Sequence, residues 1–227
     1  LGFEGSVLGL AEEAVVLAAG QGDSIFIELP NGECMLIDAS EREYANRIIS
    51  FIDCLGYTKI DHLIATHPHA DHIGGMKAVF DKFTVKRIYM NNKGTKEQVY
   101  NDLLKAIENE GIKKLPAVAG NLIKDIADDV TGMFVAHRTL TDDLNENSAV
   151  FYLTYGNRSF LFMGDAGFKE EESIAWEYKS DVIKVGNHGA ATSSGDEFLK
   201  NANASIAVIS CGKDNAPAKE TLDRLNK

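Results

Sequence analysis

Short apolar runs, bounded by glycine, proline, asparagine or aspartate, recur along the first half of the chain. Runs of about four to eight such residues are typical of half-buried or fully buried β-strands. Strands are predicted at residues 13–19, 24–29, 34–39, 61–66 and 85–90. The segment 30–33 contains Asn-Gly, which accepts the positive φ angles of tight turns, so the second and third strands are predicted to form a hairpin.

Apolar residues spaced three or four positions apart predict two amphipathic helices in the same half. Their apolar positions, with the glycine that caps each helix, are Tyr44, Ile48, Ile49, Ile52 and Leu55 before Gly56, and Val99, Leu103, Leu104 and Ile107 before Gly111. The second half is predicted to contain strands at 148–155, 159–164, 181–186 and 205–210, and helices around 170–176, 196–201 and 219–225. Two β-rich halves with helices predict two stacked sheets, covered by helices on both outer faces.

The composition fits a globular protein with a sizeable core. The chain has 227 residues, of which 44% are hydrophobic and 25% charged, and it shows no repeat, low-complexity linker or long charge run. We therefore predict one domain, 1–227. No apolar run reaches the roughly 18 residues that a membrane span needs, so a soluble protein is expected. The sequence leaves the compartment open, because a removed signal peptide would place the chain outside the cytoplasm.

Charge and cysteine usage exclude some functions. The 23 basic and 34 acidic residues give a net charge of −11, which argues against stable nucleic-acid binding. An anionic substrate would need a local positive centre, and a bound metal is one way to supply it. Cys34, Cys54 and Cys211 are an odd number without CxxC spacing, and we predict buried small hydrophobes rather than a disulfide or metal ligands.

The densest chemistry lies in "THPHADHIGG", directly after the predicted strand 61–66. His67, His69 and His72 are half of the six histidines in the chain, and Asp71 lies among them. Residues two apart in an extended chain project to the same side, and Pro68 favours extended backbone here. Solvated loop histidines are the alternative, but this spacing at a strand end favours a metal site.

This stretch resembles the first metal motif of the metallo-β-lactamase superfamily. Four further stretches occur in the order seen in the soluble hydrolase domain of ComEC-type DNA-uptake proteins and their free-standing relatives: "GQGDSIFIELPNGECMLIDA", "LNENSAVFYLTYGNRSFLFMGDA", "VIKVGNHGAATSS" and "AVISCGKDN". The resemblance runs from about Val15 to Asn215. It implies an α/β fold, a four-layered αβ/βα sandwich of two β-sheets flanked by helices, with metals in a cleft at the sheet edges.

The resemblance also implies a set of metal ligands. It assigns His67 and His69 to a first metal, Asp71 and His72 to a second, and Asp165 to the carboxylate that bridges them. The sequence around Asp165 supports this assignment. Burial of a charged aspartate at the end of the apolar strand "FLFMGD" costs free energy unless a cation compensates the charge. A helix-capping aspartate is the alternative.

The chain departs from the family pattern in two places. The family places two histidines before the glycine where this chain has Asn187 and His188. If the family's ligand is the first of the pair, the second metal receives only an amide oxygen; otherwise His188 is the ligand, and it is our candidate. After "SCGKDN" the family has Gly-His-Pro, whereas residues 216–220 read "APAKE", so a substrate-contacting histidine is missing.

Other polar residues keep two interpretations. Asn145 and Asn147 stand where many superfamily members carry a histidine ligand, and an amide there could contact metal, orient a substrate oxygen or simply form a turn. Asp23 and Asp38 either steady ligand imidazoles or lie in solvated turns. Two further histidines are expected to be non-ligands, His62 and His137.

The resemblance implies a metal-dependent hydrolase that uses a metal-activated hydroxide, with Asp71 as a base or orienting group. Zinc, as one or two ions, is the expected cofactor, with manganese or iron as alternatives. A phosphodiester or related phosphate ester is the expected substrate, and the charge of −11 favours a small or cell-surface ester over long DNA. The alternative is a degenerate binding module with an impaired metal site, favoured by Asn187 and the missing Gly-His-Pro. The physiological substrate and the oligomeric state are not set by the sequence.

Overall fold

The computed structural model describes residues 5–8, 14–17, 20–136, 141–174, 178–212 and 215–227. The chain divides into two compact units, unit 1 (Leu1–Pro116) and unit 2 (Ala117–Lys227). A single domain over 1–227 stays a prediction. Within the described ranges, every helix is too short or too polar to cross a bilayer.

Unit 1 is built on a seven-stranded sheet with the order β1-β2-β3-β4-β6-β8-β9, and β5 pairs with β7 beside it. Its strands are β1 Gly5–Leu8, β2 Ala14–Leu17, β3 Ile25–Glu28, β4 Cys34–Ile37, β5 Lys59–Ile60, β6 His62–Ala65, β7 Thr84–Val85, β8 Ile88–Met90 and β9 Lys114–Pro116. Its helices are α1 Ala45–Cys54, α2 Ala70–Ile73, α3 Met76–Lys82 and α4 Gln98–Glu110, with a 3-10 turn at Arg42–Tyr44.

The predicted hairpin is present between β3 and β4. The two strands pair antiparallel, and the Leu29 amide donates to the Glu33 carbonyl at 2.9 Å across the turn. Gly32 in this turn has φ +78°, a conformation that costs glycine least. Gly111 likewise adopts a left-handed conformation directly after α4, as the sequence predicts.

One row of apolar side chains crosses the sheet of unit 1. Phe26 lies opposite Leu36, Leu36 opposite Leu63, and Leu63 opposite Ile88. All four are fully buried. This face packs against helices α1, α3 and α4 through Ile48, Ile52, Met76, Val79, Leu103 and Ile107. Burial of each such side chain contributes roughly 1.5–3 kcal/mol, so the row fixes the strands that carry the histidine motif.

Unit 2 is built on a six-stranded sheet with the order β10-β11-β12-β13-β14-β15. Its strands are β10 Leu122–Ala127, β11 Val130–Phe134, β12 Phe151–Tyr155, β13 Arg158–Phe162, β14 Val182–Lys184 and β15 Ile206–Val208. Its helices are α5 Phe168–Glu171, α6 Asp196–Ala202 and α7 Lys219–Leu225, with 3-10 segments at Asn145–Asn147 and Gly186–Gly189. On one face, Leu161 and Ile183 pack with Phe198 and Leu199 of α6.

Both sheets have an antiparallel part followed by a parallel part. In unit 1 the strands β4, β6, β8 and β9 run parallel, and in unit 2 the strands β13, β14 and β15 do so. Parallel strands end at the same edge of a sheet, which is where ligands bind in α/β folds. The predicted fold class, β-sheets flanked by helices, is confirmed in each unit.

The structure corrects several details of the sequence prediction. The strand expected at 85–90 is divided between β7 and β8, and α5 ends at Glu171, short of the predicted 176. Trp176 lies outside the described residues. The prediction of three buried cysteines is right for Cys34 and wrong for Cys54 and Cys211, which are exposed. Cys54 lies two positions after the buried Ile52 and so on the other side of α1, and Cys211 lies beyond the end of β15 at Val208.

Candidate metal centre

The histidine motif begins where β6 ends, next to the end of the parallel strand β4. His67 is 2% exposed and directly follows Thr66, while His69 is partly exposed. His69 has φ −79° and ψ 151°, so the chain stays extended through Pro68 before α2 begins at Ala70. The Nε2 atom of His67 lies 3.0 Å from Nδ1 of His69. The sequence expectation that both rings project to one side is met.

His72 completes a group of three imidazoles. Its ring centroid lies 4.1 Å from that of His67, and its side chain is fully buried at the first turn of α2. Three buried or half-buried imidazoles at this spacing form a nitrogen-rich donor set, which suits zinc and other borderline metals.

Asp38, at the end of β4, fixes the orientation of His72. Its Oδ2 atom accepts a hydrogen bond from Nδ1 of His72 at 2.7 Å. The same carboxylate accepts the Thr66 amide at 2.9 Å and the Thr66 hydroxyl at 2.6 Å. A proton on Nδ1 makes Nε2 the ring nitrogen that carries a lone pair, so this side of the ring suits a metal. Burial raises the pKa of Asp38, and the bonds from His72 and Thr66 oppose that rise.

A second acidic residue, Asp23, lies close to Asp38 and His72. Ligand atoms of Asp23, Asp38 and His72 all lie within 4.8 Å of one another. Because the Asp38 and His72 atoms are joined by a hydrogen bond, we interpret this group as the support of the imidazole. Of the two interpretations for Asp23 and Asp38, burial at 1% and 0% excludes solvated turn residues.

Asp71 is placed by close backbone packing. Its carbonyl accepts the Asp23 amide at 3.2 Å, and a Cβ atom at Gly22 would collide with that carbonyl. Its side chain is 31% exposed, and Oδ2 lies 3.9 Å from Nε2 of His72. Asp71 therefore combines contact with a candidate ligand and access to solvent.

In unit 2, Asp165 and His188 lie at neighbouring ends of the parallel strands β13 and β14. Oδ1 of Asp165 lies 3.1 Å from Nε2 of His188, and their side chains are 4% and 7% exposed. The Nδ1–H group of His188 donates to the Ser210 carbonyl at 3.2 Å, while the Asp165 amide donates to Ser148 Oγ at 2.9 Å. A carboxylate and an imidazole held this close can ligate one cation.

The structure places His188, rather than Asn187, against Asp165. Both residues have left-handed backbone, with φ values of 45° for Asn187 and 50° for His188. The Asn187 amide donates to the Gly164 carbonyl at 3.1 Å, and its own carbonyl accepts the Ala190 amide at 2.7 Å. This tight turn therefore places the imidazole of His188, and not the side chain of Asn187, next to the Asp165 carboxylate.

The two asparagines of the "NEN" segment differ. The Asn147 amide group is buried, accepts the Thr141 amide at 2.7 Å and donates to the Thr141 and Asp143 carbonyls at 2.9 and 2.6 Å. These bonds support its role in forming the loop. Oδ1 of Asn145 is buried and has no hydrogen-bond partner among the described residues, so it is the better candidate for contacting a ligand.

The remaining histidines were expected to be non-ligands. His62 is fully buried on β6, stacks on Tyr89 at 6.0 Å and lies 3.4 Å from a Glu33 carboxylate oxygen. Burial lowers the pKa of His62, with Glu33 opposing this. His137 lies outside the described residues.

Sequence reasoning missed Thr66, Ser148 and Ser210, which hold the candidate ligands through backbone or hydroxyl groups. Thr66 directly precedes the motif, which is a usable signal. The contacts of Ser148 with Asp165 and of Ser210 with His188 join residues 17 and 22 positions apart, and no local pattern reveals them.

Comparison with known proteins gives three informative relatives. ComE operon protein 3 of Bacillus subtilis is 28% identical over 95% of this chain and 30% of its own length. Competence protein ComA of Neisseria gonorrhoeae is 27% identical over 87% of this chain and 27% of its own length. The chain thus spans less than a third of these relatives. The metallo-beta-lactamase fold protein YhfI from Bacillus subtilis aligns over 93% of this chain and 90% of its own, with a TM-score of 0.64 and 11% identity, which shows the fold alone.

The family model for the metallo-beta-lactamase superfamily matches residues 17–213. That range contains the histidine motif and both strand-end residues of unit 2, together with most of both sheets. The chain therefore belongs to the metallo-β-lactamase superfamily.

Proposed function

We propose that this protein is a metal-dependent hydrolase that acts on a phosphodiester or related phosphate ester, with zinc as its metal. The observation that carries the proposal is the group formed by His67, His69 and His72, whose rings contact one another at the end of β6. Imidazole nitrogen is a donor that zinc prefers. The fold of this chain is that of a family of metal-dependent hydrolases.

The proposed ligands follow the family pattern. In this proposal His67 and His69 would hold one ion, Asp71 and His72 would hold a second, and Asp165 would be the carboxylate shared between them. His188 is the remaining ligand, since its Nε2 atom lies 3.1 Å from Asp165. Zinc in such a site lowers the pKa of a bound water to about 7 and neutralises negative charge that develops on the substrate.

The chain's own residues would orient and move protons around that centre. Asp38 accepts the Nδ1 proton of His72 and so leaves Nε2 as the ring nitrogen that would bind a metal. Asp71 is partly exposed and can accept a proton from, or orient, an attacking water. Asn145 offers a buried amide oxygen with which to position a substrate group, whereas Asn147 stabilises the loop beside it.

The substrate class is argued from charge. The net charge of −11 repels a long polyanion more strongly than a small ester with a single negative charge. A small anionic ester would therefore meet less repulsion on its way to positively charged metal ions. A phosphodiester carries one negative charge, and its hydrolysis needs charge neutralisation that two metals supply. The resemblance to the hydrolase domain of ComEC-type proteins implies a phosphate ester as well. The chain spans 30% or less of the lengths of the two competence-protein relatives.

Turnover of bis-p-nitrophenyl phosphate tests the proposal. The zinc-loaded protein is expected to release p-nitrophenol, to lose this activity in a chelator and to regain it when zinc is added back. His69→Ala should reduce turnover by at least about 10–100-fold, because even the loss of a residue that only supports a metal ligand typically costs that much. His62→Ala is the matched control, because this buried histidine lies outside the imidazole group. Little bound zinc together with no turnover would instead support the binding-module alternative.

A further inference from the structure

We propose that Arg224 is a positioning residue for His188, acting through the segment 186–195. The inference rests on the proposed function, because the placement of His188 matters for catalysis only if this imidazole is a metal ligand. Arg224 lies on α7, outside the residues that the family pattern assigns to the metals.

One face of α7, together with the residue before its first turn, contacts the segment 186–195. Ala218, Thr221 and Arg224 are spaced three apart, so they lie along one side of the helix. The Ala218 amide donates to the Gly189 carbonyl at 2.9 Å, and the Thr221 hydroxyl donates to the Ala190 carbonyl at 2.7 Å. Gly189 directly follows His188.

The Arg224 guanidinium binds the rest of the segment. Its Nε atom donates to the Ser194 carbonyl at 2.8 Å. Its Nη2 atom donates to the carbonyls of Ala191 and Ser193, at 3.0 and 2.8 Å. The planar group also lies over the Phe168 ring, 5.4 Å from its centroid. A lysine ammonium could not reproduce this, because the donors of a guanidinium diverge in a fixed plane.

Ser193 links the Arg224 guanidinium to the backbone on both sides of His188. Its carbonyl accepts from Arg224, while its hydroxyl contacts the carbonyls of Gly186 and Ala190, at 2.8 and 3.0 Å, on either side of the histidine. Two consecutive non-glycine residues with left-handed backbone persist only where their surroundings hold them. The hydrogen bonds from α7 and Ser193 add to those of Asn187 with Gly164 and Ala190 in holding this turn.

The experiment compares Arg224→Gln and Arg224→Lys with the unmodified protein. Lys219→Gln is the matched control, since this substitution also removes one positive charge from α7. The Lys219 side chain is 84% exposed and pairs only with Asp223 among the residues that the structure describes. Thr221→Val removes the hydroxyl that donates to the Ala190 carbonyl and accepts from Arg224 Nη2 at 3.0 Å. It leaves the guanidinium and its bonds to the segment in place, so it serves as a milder variant. Zinc affinity is measured by chelator competition, and the ¹⁵N chemical shifts of the His188 ring are measured in metal-free protein.

We expect Arg224→Gln and Arg224→Lys to bind zinc about 10–100-fold more weakly, the usual effect of losing a residue that orients a ligand. Thr221→Val should shift in the same direction by less, and Lys219→Gln should match the unmodified protein. In the metal-free unmodified protein, His188 should show the Nδ1–H tautomer that donates to Ser210, and the Arg224 variants should show a mixture.

Equal zinc affinities and equal His188 shifts in all folded variants would overturn the inference, even if the Arg224 variants melt at lower temperature. If Arg224→Gln is unfolded at the assay temperature, Thr221→Val decides by the same two readouts. Absence of zinc binding in the unmodified protein would contradict the proposed function instead, and the ring shifts would then decide the role of Arg224 alone.

Discussion

The buried carboxylate of Asp38 orients His72 and the end of β6, from which the histidine group begins. It accepts hydrogen bonds from two groups of Thr66 and from His72, which lies 34 positions away. Asp38→Asn is expected to weaken zinc binding about 10–100-fold, because the amide cannot hold the Nδ1 proton as the carboxylate does.

Asp61→Asn is the control for Asp38→Asn. Asp61 is also a buried carboxylate in unit 1, but it binds the Cys34 amide and Lys59 instead of a candidate ligand. Zinc affinities measured by chelator competition should differ between the two variants. The same affinity in both would show that Asp38 has no specific part in orienting His72.

The turn at Asn187 and His188 gives a prediction about which residue ligates. His188→Ala should lower the zinc bound per chain, since the His188 ring is the one that lies against Asp165. Asn187→His should change the zinc content little. Elemental analysis of the three proteins decides: a rise of about one zinc in Asn187→His, with no loss in His188→Ala, would refute this assignment.

Glu171 predicts a pH dependence of stability. Burial raises its pKa from 4.5 to about 7, although the Gly195 and Ser194 amides favour the ionised form. Between these pH values the folded state holds a proton that the unfolded state has lost, so the free energy of unfolding falls as pH rises, by up to about 1.4 kcal/mol per pH unit.

Chemical denaturation between pH 5 and 8 measures this effect. Glu171→Gln should lack the fall, whereas Glu172→Gln, at an exposed neighbouring position, should retain it. Parallel pH curves for all three proteins would mean that Glu171 ionises normally in the folded state.

At the scale of elements, the packing of the loop before β3 against α2 constrains the histidine motif. A Cβ atom at Gly22 would collide with the Asp71 carbonyl and contact the Ser40 hydroxyl. Gly22→Ala is therefore expected to lower the free energy of unfolding by roughly 1–3 kcal/mol and to weaken zinc binding, because the backbone of Asp71 must move.

Gly32→Ala separates this effect from simple backbone strain. Gly32 has φ +78° with open space around it, so alanine there should cost about 1 kcal/mol without affecting zinc. Thermal unfolding and zinc titration of both variants test the prediction. Normal zinc affinity in Gly22→Ala would show that this contact does not position Asp71.

Elements with a clear apolar pattern could be predicted, and those without one could not. The hairpin of β3 and β4 could be predicted from the Asn-Gly pair in its turn. Helix α4 could be predicted from the helical spacing of its apolar residues and from Gly111 after its end. Strands β10 and β11 were missed: Asp128 and Asp129 lie between them, Leu122 is 52% exposed, and the pairing shifts register between Ile123 and Ala127. A mixed pattern on a partly exposed and irregular hairpin does not alternate clearly.

The same distinction holds for the candidate site. The histidine motif could be predicted because its members are adjacent in sequence and follow one strand. The contacts between Asp38 and His72 and between Asp165 and His188 depend on which strands lie side by side, which no local pattern encodes. Arg224 was missed for the same reason.

For the whole molecule, family membership and charge limit the functions that remain. The metallo-β-lactamase superfamily model covers residues 17–213, and a net charge of −11 disfavours a nucleic-acid-binding surface. The account then depends on metal, which would supply the positive centre for an anionic ester.

Zinc content of Asp165→Ala, compared with the unmodified protein, tests this account most directly. Asp196→Ala, at an exposed aspartate of unit 2, is the control, and circular dichroism verifies the fold of each protein. The account predicts one to two zinc ions per chain in the unmodified protein and in Asp196→Ala, and loss of metal from both sites in a folded Asp165→Ala. An unmodified protein that retains no zinc, or a folded Asp165→Ala with full occupancy, would contradict it.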